Sequence, residues 1–152
     1  MPTTLTPYLS FPGTTRDVFA FYERALGGRI EAMLRYADMP PPPPAQAAAD
    51  GCGGAMPTGD GIMHACLLLP GGARLMAGDV PPGMPDTGIH GCMLALQCDT
   101  VDEAASAFAA LGDGGTVTMP MAPAFWAKSF GMVTDRFGVS WAVNGEPIPM
   151  GA

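Results

Sequence analysis

Val117-Thr-Met-Pro-Met-Ala-Pro-Ala-Phe-Trp-Ala-Lys-Ser-Phe-Gly-Met-Val-Thr-Asp-Arg-Phe-Gly-Val-Ser-Trp-Ala-Val-Asn144 is the stretch from which the fold of this 152-residue chain is worked out. Asp135-Arg-Phe-Gly138 has the composition of a tight turn, an Asp that can bond its own backbone followed by a Gly that tolerates positive φ, so it joins two strands. Those strands are residues 130–134 and 139–143, with 116–119 as a third before them. Aromatic and methionine side chains concentrate here around Lys128, which reads as one wall of a ligand pocket: an apolar lining with a single fixed positive charge. A plain hydrophobic core accounts for the same composition, and both readings stand at this point.

Upstream, the capping box Thr100-Val-Asp-Glu103 opens a helix with Val101, Ala104, Ala105 and Phe108 on its buried side, and glycines between 112 and 115 stop it. A strand at 91–98 precedes that helix, so the second half reads strand, helix and three strands. The first half repeats the pattern. Residues 5–11 form a strand, Thr14 or Thr15 caps a helix with Val18, Phe21, Tyr22 and Ala25 on one face, and Gly27-Gly28 ends it. Strands at 29–36, 62–69 and 73–77 follow, the last two joined by Pro70-Gly-Gly72. The internal repeat predicts an α+β protein of two βαβββ modules with mixed curved sheets in one domain over 1–152, module one at about 3–79 and module two at about 88–146. Residues 38–60 interrupt module one. The prolines at 40–44 lack donors for a ladder, so this insertion reads as a lid, a disordered segment or an exposed linker.

Composition limits the partners. A hydrophobic content of 48% suffices for a core, and 7 basic against 14 acidic residues give a net charge of -7. That balance argues against nucleic acid or an anionic membrane surface, both of which need a basic footprint. No apolar stretch approaches the roughly 18 residues of a membrane span and no leader pattern opens the chain, so the expectation is a cytoplasmic protein. Cys52, Cys66, Cys92 and Cys98 have neither disulfide nor zinc spacing and read as free thiols, with Cys52 the most exposed.

Four stretches carry a resemblance to a known family: Pro7-Tyr-Leu-Ser-Phe11, Ile62-Met-His-Ala65, Leu75-Met-Ala-Gly-Asp79 and the run from Val117 to Asn144. Together they resemble the PhnB-like, demethylubiquinone methyltransferase-like branch of the vicinal oxygen chelate superfamily, which also contains glyoxalase I and the bleomycin and fosfomycin resistance proteins. The resemblance implies two modules paired around a cleft, within one chain or across a homodimer. Metal-using relatives place His, Glu or Gln near the start of each module's first strand and in its last strand. The matching stretches here, 5–11, 91–98, 73–77 and 139–143, contain neither His nor Glu; Gln97 lies at the far end of its strand, Cys92 and Met93 are soft, and Met76 and Ala142 offer no oxygen or nitrogen. No metal and no other cofactor is therefore expected. Methyl transfer would need a glycine-rich loop after a first strand, and none is present.

His64, in a matched strand, is either a general base with Tyr8 as phenolic donor or a tucked histidine bonded to a tyrosine or carbonyl. His90 reads as a turn or interface residue, and Asp79 orients a base or caps a loop. The leading expectation is metal-free binding of a small apolar or aromatic molecule in the inter-module cleft by Tyr8, His64, Asp79, Phe125, Trp126, Lys128 and Met132, in a homodimer. Two alternatives stand beside it: an enzyme using His64 or Tyr8, and a structural or regulatory dimer whose cleft is residual.

Overall fold

The computed structural model describes residues 2–40, 60–81 and 84–149. Its contacts divide the chain into two compact units, Met1–Glu23 with Gly28–Thr87, and Arg24–Gly27 with Gly88–Ala152. In the first, β1 (Tyr8–Phe11), α1 (Thr15–Leu26), β2 (Arg29–Arg35), β3 (Ile62–Leu68) and β4 (Arg74–Asp79) follow one another. The second repeats the order with β5 (Leu94–Cys98), α2 (Val101–Gly112), β6 (Thr116–Ala122), β7 (Ala127–Thr134) and β8 (Ser140–Pro147). The protein is thus α+β, built of two βαβββ modules. The sheets have matching order, β1-β4-β3-β2 and β5-β8-β7-β6, and each mixes one parallel pair (β1 with β4, β5 with β8) with antiparallel ones.

In the first module Leu9, Phe11, Ala65, Leu67, Leu75 and Ala77 are buried, as are Val18, Phe19 and Tyr22 of α1. The buried Asp79 carboxylate anchors the start of that helix: Oδ1 accepts from Thr15 N at 2.9 Å and Oδ2 from Ile62 N at 2.7 Å. One side chain so satisfies a donor that the first helical turn leaves open and ties it to the sheet. Ala25, placed on the buried face from sequence, is only half-buried, and Phe19 takes up burial there instead.

In the second module the capping box forms as expected, Glu103 N donating to Thr100 Oγ1 and Thr100 N to Glu103 Oε2, each at 3.1 Å. The buried stripe of α2 is Ala104, Ala107 and Leu111; Ala105 is exposed, and Val101 and Phe108 are half-buried. An alanine-rich helix carries little phase information, and close approach to glycines of the sheet sets its rotation. A Cβ on Gly145 would lie 2.6 Å from Ala104 Cβ, and one on Gly131 would lie 2.9 Å from the Phe108 ring. The Asp135-Arg-Phe-Gly138 turn is confirmed, with Gly138 at φ 86 and its N–H donating to Asp135 O at 3.0 Å. Asp135 also accepts from Phe137 N, Val139 N and Trp141 Nε1, which places Trp141 in the core.

Several strand ends move. β1 begins at Tyr8 instead of residue 5, since Leu5 is 95% exposed. β5 begins at Leu94 because Gly91 has φ 69, outside the strand region. β6 continues past Pro120 to Ala122 through register shifts on either side of Met119, which fits a proline without a donor on an edge strand. Cys66, Cys92 and Cys98 are free. Cys52 and residues 41–59 of the expected insertion lie outside the described residues. The segment's described flanks are held together by Tyr36 N donating to Gly61 O at 2.9 Å and by Arg35, which pairs with Asp38 and Asp60. Among the described residues no helix is long and apolar enough to cross a membrane.

Candidate functional site

Each sheet turns one face toward its helix and leaves the other to be read from register. In the first module Leu9, Ala77, Asp79 and Ala65 share the helix side. The opposite face presents Tyr8 beside Met76, Ser10 beside Gly78, Cys66 beside Met76, and the pairs Leu34 with His64 and Ala32 with Cys66. The Tyr8 ring crosses β4 over Gly78, where an added Cβ would fall 2.8 Å from the phenol oxygen and 2.5 Å from Met63 O. Only glycine leaves room for that crossing. Tyr8 OH then donates to Met63 O at 3.1 Å, and its ring stacks on His64 with centroids 5.7 Å apart. The Tyr8 phenol oxygen lies 3.4 Å from His64 Nδ1, a long contact in which, with the phenol O–H engaged by Met63 O, Nδ1–H donates and Nε2 is left as an acceptor. Burial pushes the Tyr8 phenol above its ordinary value, so it remains a donor at neutral pH. Tyr36 is raised chiefly by burial as well, and its OH donates to Asp79 O at 2.9 Å.

In the second module the helix side holds Trp141, Val143 and Gly145 with their β5 partners Leu94, Leu96 and Cys98. The other face is a grid. Phe130, Asn144 and Gln97 form one row across β7, β8 and β5; Met132, Ala142 and Ala95 form the next; Lys128 lies opposite Glu146 within the 127–147 pairing. Trp126 lies edge-on to Phe130 at 5.0 Å, and Phe125 lies edge-on to Trp126 at 4.7 Å. The indole is held at one further point, Nε1 donating to Asn144 Oδ1, and the Trp126 main-chain carbonyl accepts from Ile148 N, both at 2.9 Å. Even so, Trp126 is 36% and Phe125 75% exposed. Lys128 forms an ion pair with Glu146, whose φ of 51 is the one positive non-glycine value among the described residues. β8 thus bends at its end, where Ile148 reaches Trp126.

The residues singled out from sequence fall into two groups, each within its own module. Tyr8 and His64 come together; Phe125 and Trp126 come together, with Met132 one row from Phe130 on the same face. Asp79 turns to the helix side with both oxygens engaged by backbone donors, and Lys128 is already paired. Phe130, Asn144 and Gln97 were not among those candidates. Strict alternation from Met132 through Phe130, and from Ala142 through Asn144, would have put them on that face.

The positions where relatives carry metal ligands present Tyr8 and Ser10, Met76, Ala95 and Gln97, and Ala142 on these faces. These positions offer hydroxyl, thioether, methyl and carboxamide groups, the one carboxylate on the second face, Glu146 in β8, is paired with Lys128, and among the described residues no three His, Cys, Asp or Glu side chains cluster to hold a cation.

The model of the Glyoxalase/Bleomycin resistance protein/Dioxygenase superfamily matches residues 6–143. Protein YjdN of Escherichia coli (strain K12) is 36% identical over 141 residues, covering 92% of this chain and 93% of that protein. The crystal structure of protein PA1353 from Pseudomonas aeruginosa is similar with a TM-score of 0.78 and 44% identity, over 94% of this chain and 97% of that one. A putative 3-demethylubiquinone-9 3-methyltransferase, PhnB protein, from Bacillus cereus shares the fold with a TM-score of 0.70 at 23% identity, over 93% and 98% of the two chains.

Proposed function

Since the chain belongs to the Glyoxalase/Bleomycin resistance protein/Dioxygenase superfamily, we propose that it binds a small apolar or aromatic molecule without a metal, against the helix-free face of its second module. Phe125, Trp126 and Met132 are the contacts, Tyr8 and His64 form a second polar pair on the first module, and Asp79 and Lys128 serve the fold instead. One observation carries this reading: Trp126 is fixed by Asn144, Ile148 and Phe130 while a third of it stays exposed. An exposed indole that is already ordered loses little entropy when a ring is laid on it, which is the condition for efficient binding. Titration with 2-naphthol, followed by tryptophan fluorescence in EDTA, should give saturable quenching. Trp126→Ala should weaken binding by on the order of 2 kcal/mol, as expected of an aromatic anchor. Equal affinity in the variant, or affinity that appears only on adding Zn²⁺ or Mn²⁺, would contradict the proposal.

The Tyr8–His64 contact favours a second reading, in which Nε2 of His64 takes a proton from a substrate while Tyr8, its O–H held by Met63 O, accepts from Nδ1–H and orients the imidazole. Exchange of the α-hydrogens of acetophenone in D2O tests it. Exchange lost in His64→Gln supports an enzyme, and equal rates in both proteins rule this base out.

A further inference from the structure

Asn144 stands where the aromatic cluster meets the polar row, and its orientation is determined by chemistry. Trp126 Nε1 can only donate, so the Asn144 atom 2.9 Å from it is the oxygen, and the Nδ2 amide group points elsewhere. Among the described residues that NH2 has no hydrogen-bond partner. Its neighbour in register on β5 is Gln97, an exposed second carboxamide on the same face, one strand spacing of roughly 4.8 Å away. The next row is floored by two small side chains, Ala142, which is buried, and Ala95, which is exposed, beside Phe130 and Met132. Lys128 supplies no unpaired charge, because Glu146 neutralises it. A fixed NH2 donor, an adjacent carboxamide able to accept, an aromatic ring alongside and no free cation are complementary to a neutral planar ring that carries C=O next to N–H.

We infer that Gln97 and Asn144 are specificity-determining residues for a planar cyclic amide or imide, with Asn144 Nδ2 donating to the ring carbonyl, Gln97 Oε1 accepting from the ring N–H, and Trp126 covering the ring. This rests on the proposed ligand site of the second module and names the class of molecule it takes. Donor and acceptor are presented together, so a ring lacking either group leaves one carboxamide unmatched and binds less tightly.

Phthalimide and N-methylphthalimide, titrated against the whole protein by tryptophan fluorescence, test the inference, because methylation removes the N–H and keeps the ring and both carbonyls. Wild type should bind phthalimide about tenfold more tightly, the worth of one hydrogen bond. Gln97→Leu should abolish that preference. Asn144→Asp, which keeps the acceptor for Trp126 and loses the NH2, should weaken both imides, and an unchanged emission maximum without ligand would show that the indole has stayed in place. If both imides and 2-naphthol quench Trp126 with no preference for the N–H, or if the preference survives in Gln97→Leu, the amide assignment fails and the aromatic site stands. If none of the three binds, both fail.

Discussion

Asp79 is the side chain whose loss should be felt most in the first module. Its two oxygens are the partners of Thr15 N and Ile62 N, so Asp79→Ala leaves two buried donors bare and should cost on the order of 3 kcal/mol in urea unfolding. Asp79→Asn keeps one acceptor and should cost less. A variant as stable as wild type would show the helix start to be solvated. Glu31 gives a pH signature. The hydrogen bond from Arg74, with the charges of Arg74 and Arg29, holds its carboxyl below the usual value of 4.5. A depressed carboxylate stabilises fully above its unfolded value, and the contribution disappears as pH falls through the folded one. The gap in urea midpoint between wild type and Glu31→Gln should thus be constant from pH 7 to about 5 and close below the carboxylate range; a gap that widens on acidification would contradict the pairing. Much at this scale was legible. Both readings of His64 named a tyrosine, and Tyr8 is found 3.4 Å away. The engagement of Asp79 with α1 was not legible as such, because its partners are 64 and 17 residues distant in sequence.

At the scale of elements, the capping box of α2 and the Asp-to-Gly turn were read correctly, since each is satisfied by atoms a few residues apart, whereas the Thr15 hydroxyl expected to cap α1 has no partner and Asp79 holds that helix start instead. Thr100→Ala should therefore destabilise the protein by about 1 kcal/mol in urea unfolding, the usual value of an N-cap. A change below a few tenths would mean that Glu103 N finds water instead. The rotation of α2 was misread because Ala104, Ala105 and Ala107 are chemically alike, and the choice among them lies in the distant glycines 131 and 145. Gly145→Ala should accordingly be among the most damaging single methyl additions, on the order of 2 kcal/mol, since its Cβ meets Ala104 as well as backbone of α2. A stable Gly145→Ala protein would imply that α2 can shift away at little cost.

For the whole molecule, the repeat was visible because a glycine stop after each helix and a glycine turn before each last strand fall at corresponding places in the two halves, and the strand orders β1-β4-β3-β2 and β5-β8-β7-β6 match. The proposed ligand face was less visible, since alternation gives the face of each residue but no local pattern states the register that brings Phe130, Asn144 and Gln97 of three strands into one row. Each sheet also has two edge strands, and β6 exposes Val117 and Met119 at 48% and 42%. Such edges need cover, so a homodimer is expected. Light scattering at micromolar concentration should give about 31 kDa, twice 15.6 kDa, and a mass of one chain at all concentrations would dismiss the dimer without touching the fold. The central claim, a ring bound over Trp126 with no metal, is tested most directly by a crystal structure of EDTA-treated protein soaked with 2-naphthol. The account predicts the naphthol ring about 3.5–4 Å from the Trp126 indole, in van der Waals contact. A ring bound elsewhere, or a Trp126 face filled by the protein's own side chains, would contradict it.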